Sequence, residues 1–322
     1  MVRIGRMGLK LVAVVVLLGL LLSGCGRGQS GEGELSGTIT VSGAWALYPM
    51  MVRWGEEYHN LHPNVEFDIS AGGAGKGMAD ALAGAVDIGM VSRAIYQDEI
   101  EQGAFWVKVV RDAVVPTVNA NNPHLARLQN QGITQAILEA IWMGEIKTWG
   151  EVIGDPSVHD EIHVYTRSDA CGAADTWAAY LGGHKQEDLK GVAVYGDPGL
   201  ASAVSQDPLG IGYNNLNFAY DADTKRPVAG LQVIPLDLNE DSQVNADESF
   251  YATKSELMAA ISDDRYPSPP ARALNLVTLH SPGGLIRAFI RWVLTDGQAF
   301  AEETGYIPLT QAELETELAK LE

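Results

Sequence analysis

Between Gly37 and Met90 the chain lays down short β-rich runs and helical segments in strict alternation, and few architectures accept that order. Gly37 to Ser42 (GTITVS) alternates as a strand does, and Leu47, Met50, Met51, Trp54 and Tyr58 recur at helical spacing between Trp45 and His59. Val65 to Ser70 reads as the next strand, the glycine cluster 72–77 as a turn, Met78 to Ala85 as a helix and Val86 to Met90 as a third strand. Strands separated by crossover helices line up parallel and bury both faces. A mainly parallel α/β sheet is therefore expected, with ligands outside the carboxyl ends of strands, at the turns that open helices.

The rest of the chain follows the same plan less regularly. Lys108 to Val118 (KVVRDAVVPTV) is a long β-rich stretch able to cross between two domains, and Ala273 to Leu279, after the break YPSPP, is a second crossing candidate. Between them a helix is expected over Thr134 to Met143 and a strand over His163 to Thr166. The polar turn Arg167 to Ala174 and a helix from Asp175 to Leu181 come next, then strands and turns over Pro208 to Asn217 and Val233 to Leu238. Gly284 to Thr295 and Gln298 to Thr304 read as closing helices. At 322 residues, 46% hydrophobic and 20% charged, the chain is globular and long enough for two domains.

Forty-one acids against 22 bases give a net charge of −19, with no basic run after residue 27, which excludes nucleic acid as a partner. The same field repels free anions at long range, so an anion site here must work through short-range donors in a cleft.

The first 24 residues read as a lipoprotein signal peptide. Arg3, Arg6 and Lys10 precede twelve apolar residues, Leu11 to Leu22, and Leu22-Ser23-Gly24-Cys25 resembles the bacterial lipobox whose cysteine is acylated. Twelve residues cannot span a bilayer, which takes roughly 20. Removal of residues 1–24 takes away three bases and no acids, moving the charge from −19 to −22. Cys25 is the expected lipidation site and residues 25–36 a flexible tether, which leaves Cys171 without a disulfide partner.

Several features invite chemistry. The run Ala71-Gly72-Gly73-Ala74-Gly75-Lys76-Gly77 lacks the Ser or Thr that follows Gly-Lys in a nucleotide loop, leaving a tight turn or an anion nest of backbone N–H groups. Of the seven histidines, the two close pairs, His59/His62 and His159/His163, are not completed by carboxylates or cysteines in ligand spacing, so no metal is expected. Cys171, four residues after Arg167 at a helix start, is either a thiolate favoured by dipole and guanidinium or a small buried residue. No carboxylate pair reads as a catalytic dyad, and neither enzyme activity nor a cofactor is expected. The tryptophans sit at core spacing except Trp45, in the turn after the first strand.

Six groups of segments, in order, are similar to the substrate-binding protein of the phosphate ABC importer. They are SGAWALYP (42–49), the glycine turn with AVDIGMVSR (85–93), IWMGEIKTW (141–149), RSDACGAADT (167–176), PLGIGY (208–213), and FIRWVLTDGQ with TGYIPL (289–298 and 304–309). The resemblance implies the two-domain type II periplasmic binding protein fold, two mainly parallel α/β domains joined by two crossing hinge strands. Domain 1 would be 37–112 plus 272–322, and domain 2 would be 113–271. It further implies a monomer, extracytoplasmic and lipid-anchored, that passes phosphate to ABC permease subunits.

Carried over by position, the implied ligand-binding residues are Ala46 and Leu47, Ala74 and Gly75, Ser92 and Arg93, Arg167 with Asp169 orienting it, and Cys171, Gly172 and Ala173. Four of these depart from the family's Ser or Thr: Ala46, Ala74, Cys171 and Ala173 cannot offer a hydroxyl. Arg93 stands where some members have an acidic residue. The resemblance puts phosphate first, another oxyanion or small organic anion second, and a non-transport surface sensor third.

Overall fold

The structure is a computed structural model that describes residues 35–322; the signal peptide, Cys25 and most of the tether lie outside the described residues. Nine strands, β1 (Gly37–Gly43), β2 (Val65–Ala71), β3 (Ile88–Val91), β4 (Ala104–Asn119), β5 (His163–Arg167), β6 (Val192–Val194), β7 (Gly210–Asn215), β8 (Leu231–Val233) and β9 (Ala271–Leu279), join in the order β2-β1-β3-β9-β4-β7-β5-β6, with β8 on β4. Pairing is parallel at both ends, β2-β1-β3 and β7-β5-β6, and antiparallel wherever β4 or β9 takes part. The parallel expectation thus holds on either side of a central antiparallel pair.

That pair is made of the two segments expected to cross. Along β4, Ala104 to Ala113 face β9, and from Val114 to Val118 the partner becomes β7. Both faces of its second half are covered, which is why the segment reads as a nearly continuous β-branched run. One half of the sheet thus holds β1 to β3, the other β5 to β8, with β4 and β9 connecting them.

Helix starts differ from expectation where glycines lie. The first helix is Tyr48–Leu61, with Pro49 in its first turn and Trp45 to Leu47 left as the turn. The glycine run is largely helical, Ala74–Leu82 rather than a turn to residue 77. Gly73, at φ 92°, takes the entry conformation, and a Cβ on Gly77 would lie 2.5 Å from the Met90 carbonyl and 2.8 Å from Gly43 Cα. These glycines serve close helix–strand approach rather than chain reversal. Helix Gly172–Tyr180 likewise starts three residues early. The segment 298–304 splits into a 3₁₀ turn, Asp296–Phe300, and a short helix, Ala301–Thr304, and β8 ends at Val233. Helices Gly196–Gln206, Lys254–Ser262 and Gln311–Ala319 have no counterpart in the expectation.

The core that seats Gly172–Tyr180 is aromatic: Trp177 stacks on Tyr213 at 5.8 Å and meets Trp142 edge-on at 5.4 Å. In the other half Tyr58, Phe67 and Phe289 pack edge to face, each centroid pair within 6.2 Å.

Charge is buried where the crossing strands meet. Asp112 on β4 lies 3.5 Å from Arg272 on β9, whose Nη2 donates to Asn215 on β7, and Lys254 Nζ donates to Asn217 nearby. Burial pushes the Asp112 carboxyl up to about 6 against the pull of Arg272, and pushes Lys254 down to about 8 against the pull of Asp112. A carboxyl raised above its ordinary 3.8 favours folding in its neutral form, so its contribution is present below 3.8 and is lost as pH rises through about 6. Thermal unfolding of wild type and Asp112→Asn between these values should therefore show wild type losing stability relative to the variant as pH rises, by up to about 3 kcal/mol. Parallel pH profiles would contradict this reading.

Candidate anion site

Arg167 ends β5 and its side chain is fully buried. Its Nε and Nη2 donate to Asp169 Oδ1 and Oδ2 at 2.8 and 2.6 Å, and its Nη1 donates to Asp197 Oδ2 at 2.6 Å. Burial opposes the charged guanidinium, but Asp197, Cys171 and Asp169 more than offset it and hold the pKa above the ordinary arginine value. Three of its five N–H donors are thus matched by protein carboxylates, leaving two.

The turn after Arg167 is clamped from outside. Gln186 accepts from Cys171 N at 3.0 Å and donates to the Asp169 carbonyl at 2.7 Å, while Asp169 Oδ1 also accepts from Gly196 N at 3.1 Å. Cys171 caps the helix, its Sγ accepting from Ala174 N at 3.4 Å. Gly172 and Ala173 follow as the first helical residues, whose N–H groups have no acceptor within the helix.

Three turns from the other half of the sheet meet this one. In the glycine turn, Gly75 N donates to the Ala170 carbonyl at 3.0 Å, and a Cβ on Gly73 would lie 2.6 Å from that carbonyl and 2.9 Å from Asp169 Oδ2. Ser92, buried after β3, abuts the helix start: a Cβ on Gly172 would lie 2.2 Å from its carbonyl and 2.4 Å from its Oγ. The Trp45 ring lies against Gly196, and its edge meets Tyr195 at 6.3 Å. Trp45, the tryptophan off core spacing, therefore packs on protein, beside the residue before Asp197. Ala46 and Leu47 lie buried in the same turn, where Tyr306 donates to the Ala46 carbonyl at 2.7 Å.

Ala46, Leu47, Ala74, Gly75, Ser92, Arg167, Asp169, Cys171, Gly172 and Ala173 thus belong to turns that converge. Arg93 turns away. Its guanidinium donates to both oxygens of Glu99, at 2.6 and 3.0 Å, lies 4.2 Å over the Tyr96 ring and approaches Asp175 at 3.3 Å. Cys171 departs from the thiolate expectation: burial pushes its thiol up to about 12, and the attraction of Arg167 does not offset the missing water. It is the small buried residue of the two readings.

Sequence reasoning misses Asp197, Gln186 and Asn215. Asn215 Nδ2 donates to Asp197 Oδ1 at 2.5 Å and Asn215 Oδ1 accepts from Arg272, so a polar chain runs from Arg167 to the crossing strands. Asp197 had a signal, since Gly-Asp-Pro-Gly at 196–199 places an acid and a proline at a helix start. Gln186, in a single 3₁₀ turn, had none.

Comparison with known proteins places the fold and the family. A domain described as a PBP superfamily domain matches residues 28–297. The phosphate-binding protein PstS of Methanocaldococcus jannaschii is 25% identical over 91% of this chain and 87% of its own. PstS of Staphylococcus aureus is 24% identical over 94% and 88%. Among solved structures, an ABC-type phosphate transport receptor from Vibrio cholerae aligns with a TM-score of 0.61 at 18% identity, over 84% of this chain and all of that one. That structural likeness is one of fold.

Proposed function

From the premise that this chain belongs to the PBP superfamily, among phosphate ABC substrate-binding proteins, we propose that it captures phosphate between the two halves of its sheet. The observation that carries the reading is the meeting, at the turn that follows the buried guanidinium of Arg167, of the helix start at Gly172, the helix start at Ala74 and Ser92. Helix N-termini present N–H groups and partial positive charge, and a dehydrated oxyanion needs several short donors at once. In this reading residues 37–112 plus 272–322 and 113–271 are two domains that close about β4 and β9. The captured anion passes to permease subunits of an ABC importer.

Anchoring is part of the same proposal. Among the described residues no helix is long and apolar enough to cross a membrane, and Cys25 is the residue a lipid would occupy. Cys25→Ala should abolish palmitate labelling and release the chain from the membrane fraction; a labelled, membrane-bound variant would remove this part of the reading.

The lining supports a second reading, a different small oxyanion. Ala46, Ala74, Cys171 and Ala173 provide no hydroxyl, at about 1 kcal/mol or more per missing hydrogen bond, and Arg167 already faces two carboxylates. A bulky organic anion is disfavoured by packing, because the glycine turn touches Ala170 directly.

Calorimetric titration with phosphate, sulfate and methylphosphonate tests both readings. Arg167→Ala is expected to weaken phosphate binding by about 2 kcal/mol or more, and Ala46→Thr, Ala74→Ser, Cys171→Ser and Ala173→Thr together to tighten it severalfold. Phosphate affinity indifferent to Arg167→Ala would remove Arg167 from the site. Wild type preferring sulfate or methylphosphonate would select the second reading.

A further inference from the structure

Alongside the paired crossing strands lies a cavity of about 470 Å³, within the range of small-molecule sites. Its walls come from both halves of the sheet: Tyr96, Trp106 and Lys108 on one side, Asp175, Ala179 and Pro269 on the other. It is separate from the Arg167 site. Helix Gly172–Tyr180 gives its first turn to that site and Asp175, Thr176 and Ala179 to this cavity, and Arg93, turned out of the first, lines the second.

Its polar groups are not equally satisfied. Arg93 is matched by Glu99 and Asp175. Lys108 donates its backbone N–H to Glu317, but its ammonium makes no hydrogen bond or ion pair among the described residues. Arg272 also lines the wall. Its side chain is only 7% exposed, Asp112 is 3.5 Å away, and its Nε and Nη1 have no hydrogen-bond partner among the described residues. Those two nitrogens are enclosed, so Arg272 acts on an occupant through its charge, while the Lys108 ammonium is the donor free to meet an incoming carboxylate.

The remaining walls select what accompanies the negative charge. Ile95, Tyr96, Trp106, Ala179 and Pro269 offer flat apolar surface, which a bare phosphate would leave uncovered. A planar aromatic body would bury that surface and stack on the two rings. We propose that this cavity is a second ligand site that takes a small aromatic carboxylate, its carboxylate toward Lys108 and Arg272 and its rings against Tyr96, Trp106 and Pro269. The occupant touches both halves of the sheet, so it stabilises the arrangement in which they are together.

The test is calorimetry with 2-naphthoate and its neutral amide, 2-naphthamide, on wild type with and without excess phosphate, on Arg167→Ala and on Lys108→Gln. Saturable one-to-one binding of 2-naphthoate is expected, unchanged by phosphate and by Arg167→Ala. It should weaken about tenfold or more in Lys108→Gln, and 2-naphthamide should lose affinity by a similar factor, as the removal of one charged contact implies. Absence of saturable binding, displacement by phosphate, or affinity indifferent to Lys108→Gln would each overturn the proposal. Because phosphate and Arg167→Ala probe the other site, failure of one reading is distinguishable from failure of the other.

Discussion

A guanidinium buried away from water must be met by acceptors, and the pairing of Arg167 with Asp169 and Asp197 organises what surrounds it. Asp169 lies in the same turn and fixes it, with Gln186 bracing the turn from outside. Asp197 comes from the start of another helix and passes the connection through Asn215 to Arg272 and Asp112, where β4 and β9 run side by side. Three bases, Arg167, Arg272 and Lys254, face three acids, Asp169, Asp197 and Asp112. The interior is thus near electrical balance before any ligand arrives. Recognition in such a place rests on directed N–H groups more than on net positive charge, which suits a chain of net charge −19.

Backbone proximity does the rest. Gly73, Gly75 and Gly172 stand where a Cβ would fall within 2.7 Å of Ala170 or Ser92, so the converging turns touch main chain to main chain. Such contact brings N–H groups from separate helix starts to one place and leaves little volume between them. The absence of hydroxyls at Ala46, Ala74, Cys171 and Ala173 then matters more, because the main chain, the Ser92 hydroxyl and the two remaining Arg167 donors are what the turns have to offer.

Much of this was legible in the residues. Alternation gave the strands and helices up to Met90, β-branched runs marked both crossing strands, and Arg167 with Asp169 two residues on marked a turn that proves central. What could not be read was of three kinds. The partner of a buried charge, Asp197, lies 30 residues downstream, and only the fold brings the two together. Burial cannot be inferred from position on a helix, so the sequence left Cys171 open between a thiolate and a small buried residue and placed Arg93 in the site, while desolvation decides the first and Glu99 pairs with the second. The helices after Thr253 and Thr310 begin with Thr-x-x-Glu capping boxes, but their apolar residues follow only a weak period, which hides them in the sequence.

The claim that Arg167 is already charge-compensated by the protein is tested most directly at Asp197. Asp197→Asn removes one negative charge and keeps one acceptor oxygen, which can serve Arg167 or Asn215 but not both, so some loss of stability is expected and affinity is compared on the folded variant. Phosphate titration of this variant beside wild type should show binding tightened about tenfold or more, as the loss of one like charge beside the anion implies. Binding that is unchanged or weaker in Asp197→Asn would contradict the account.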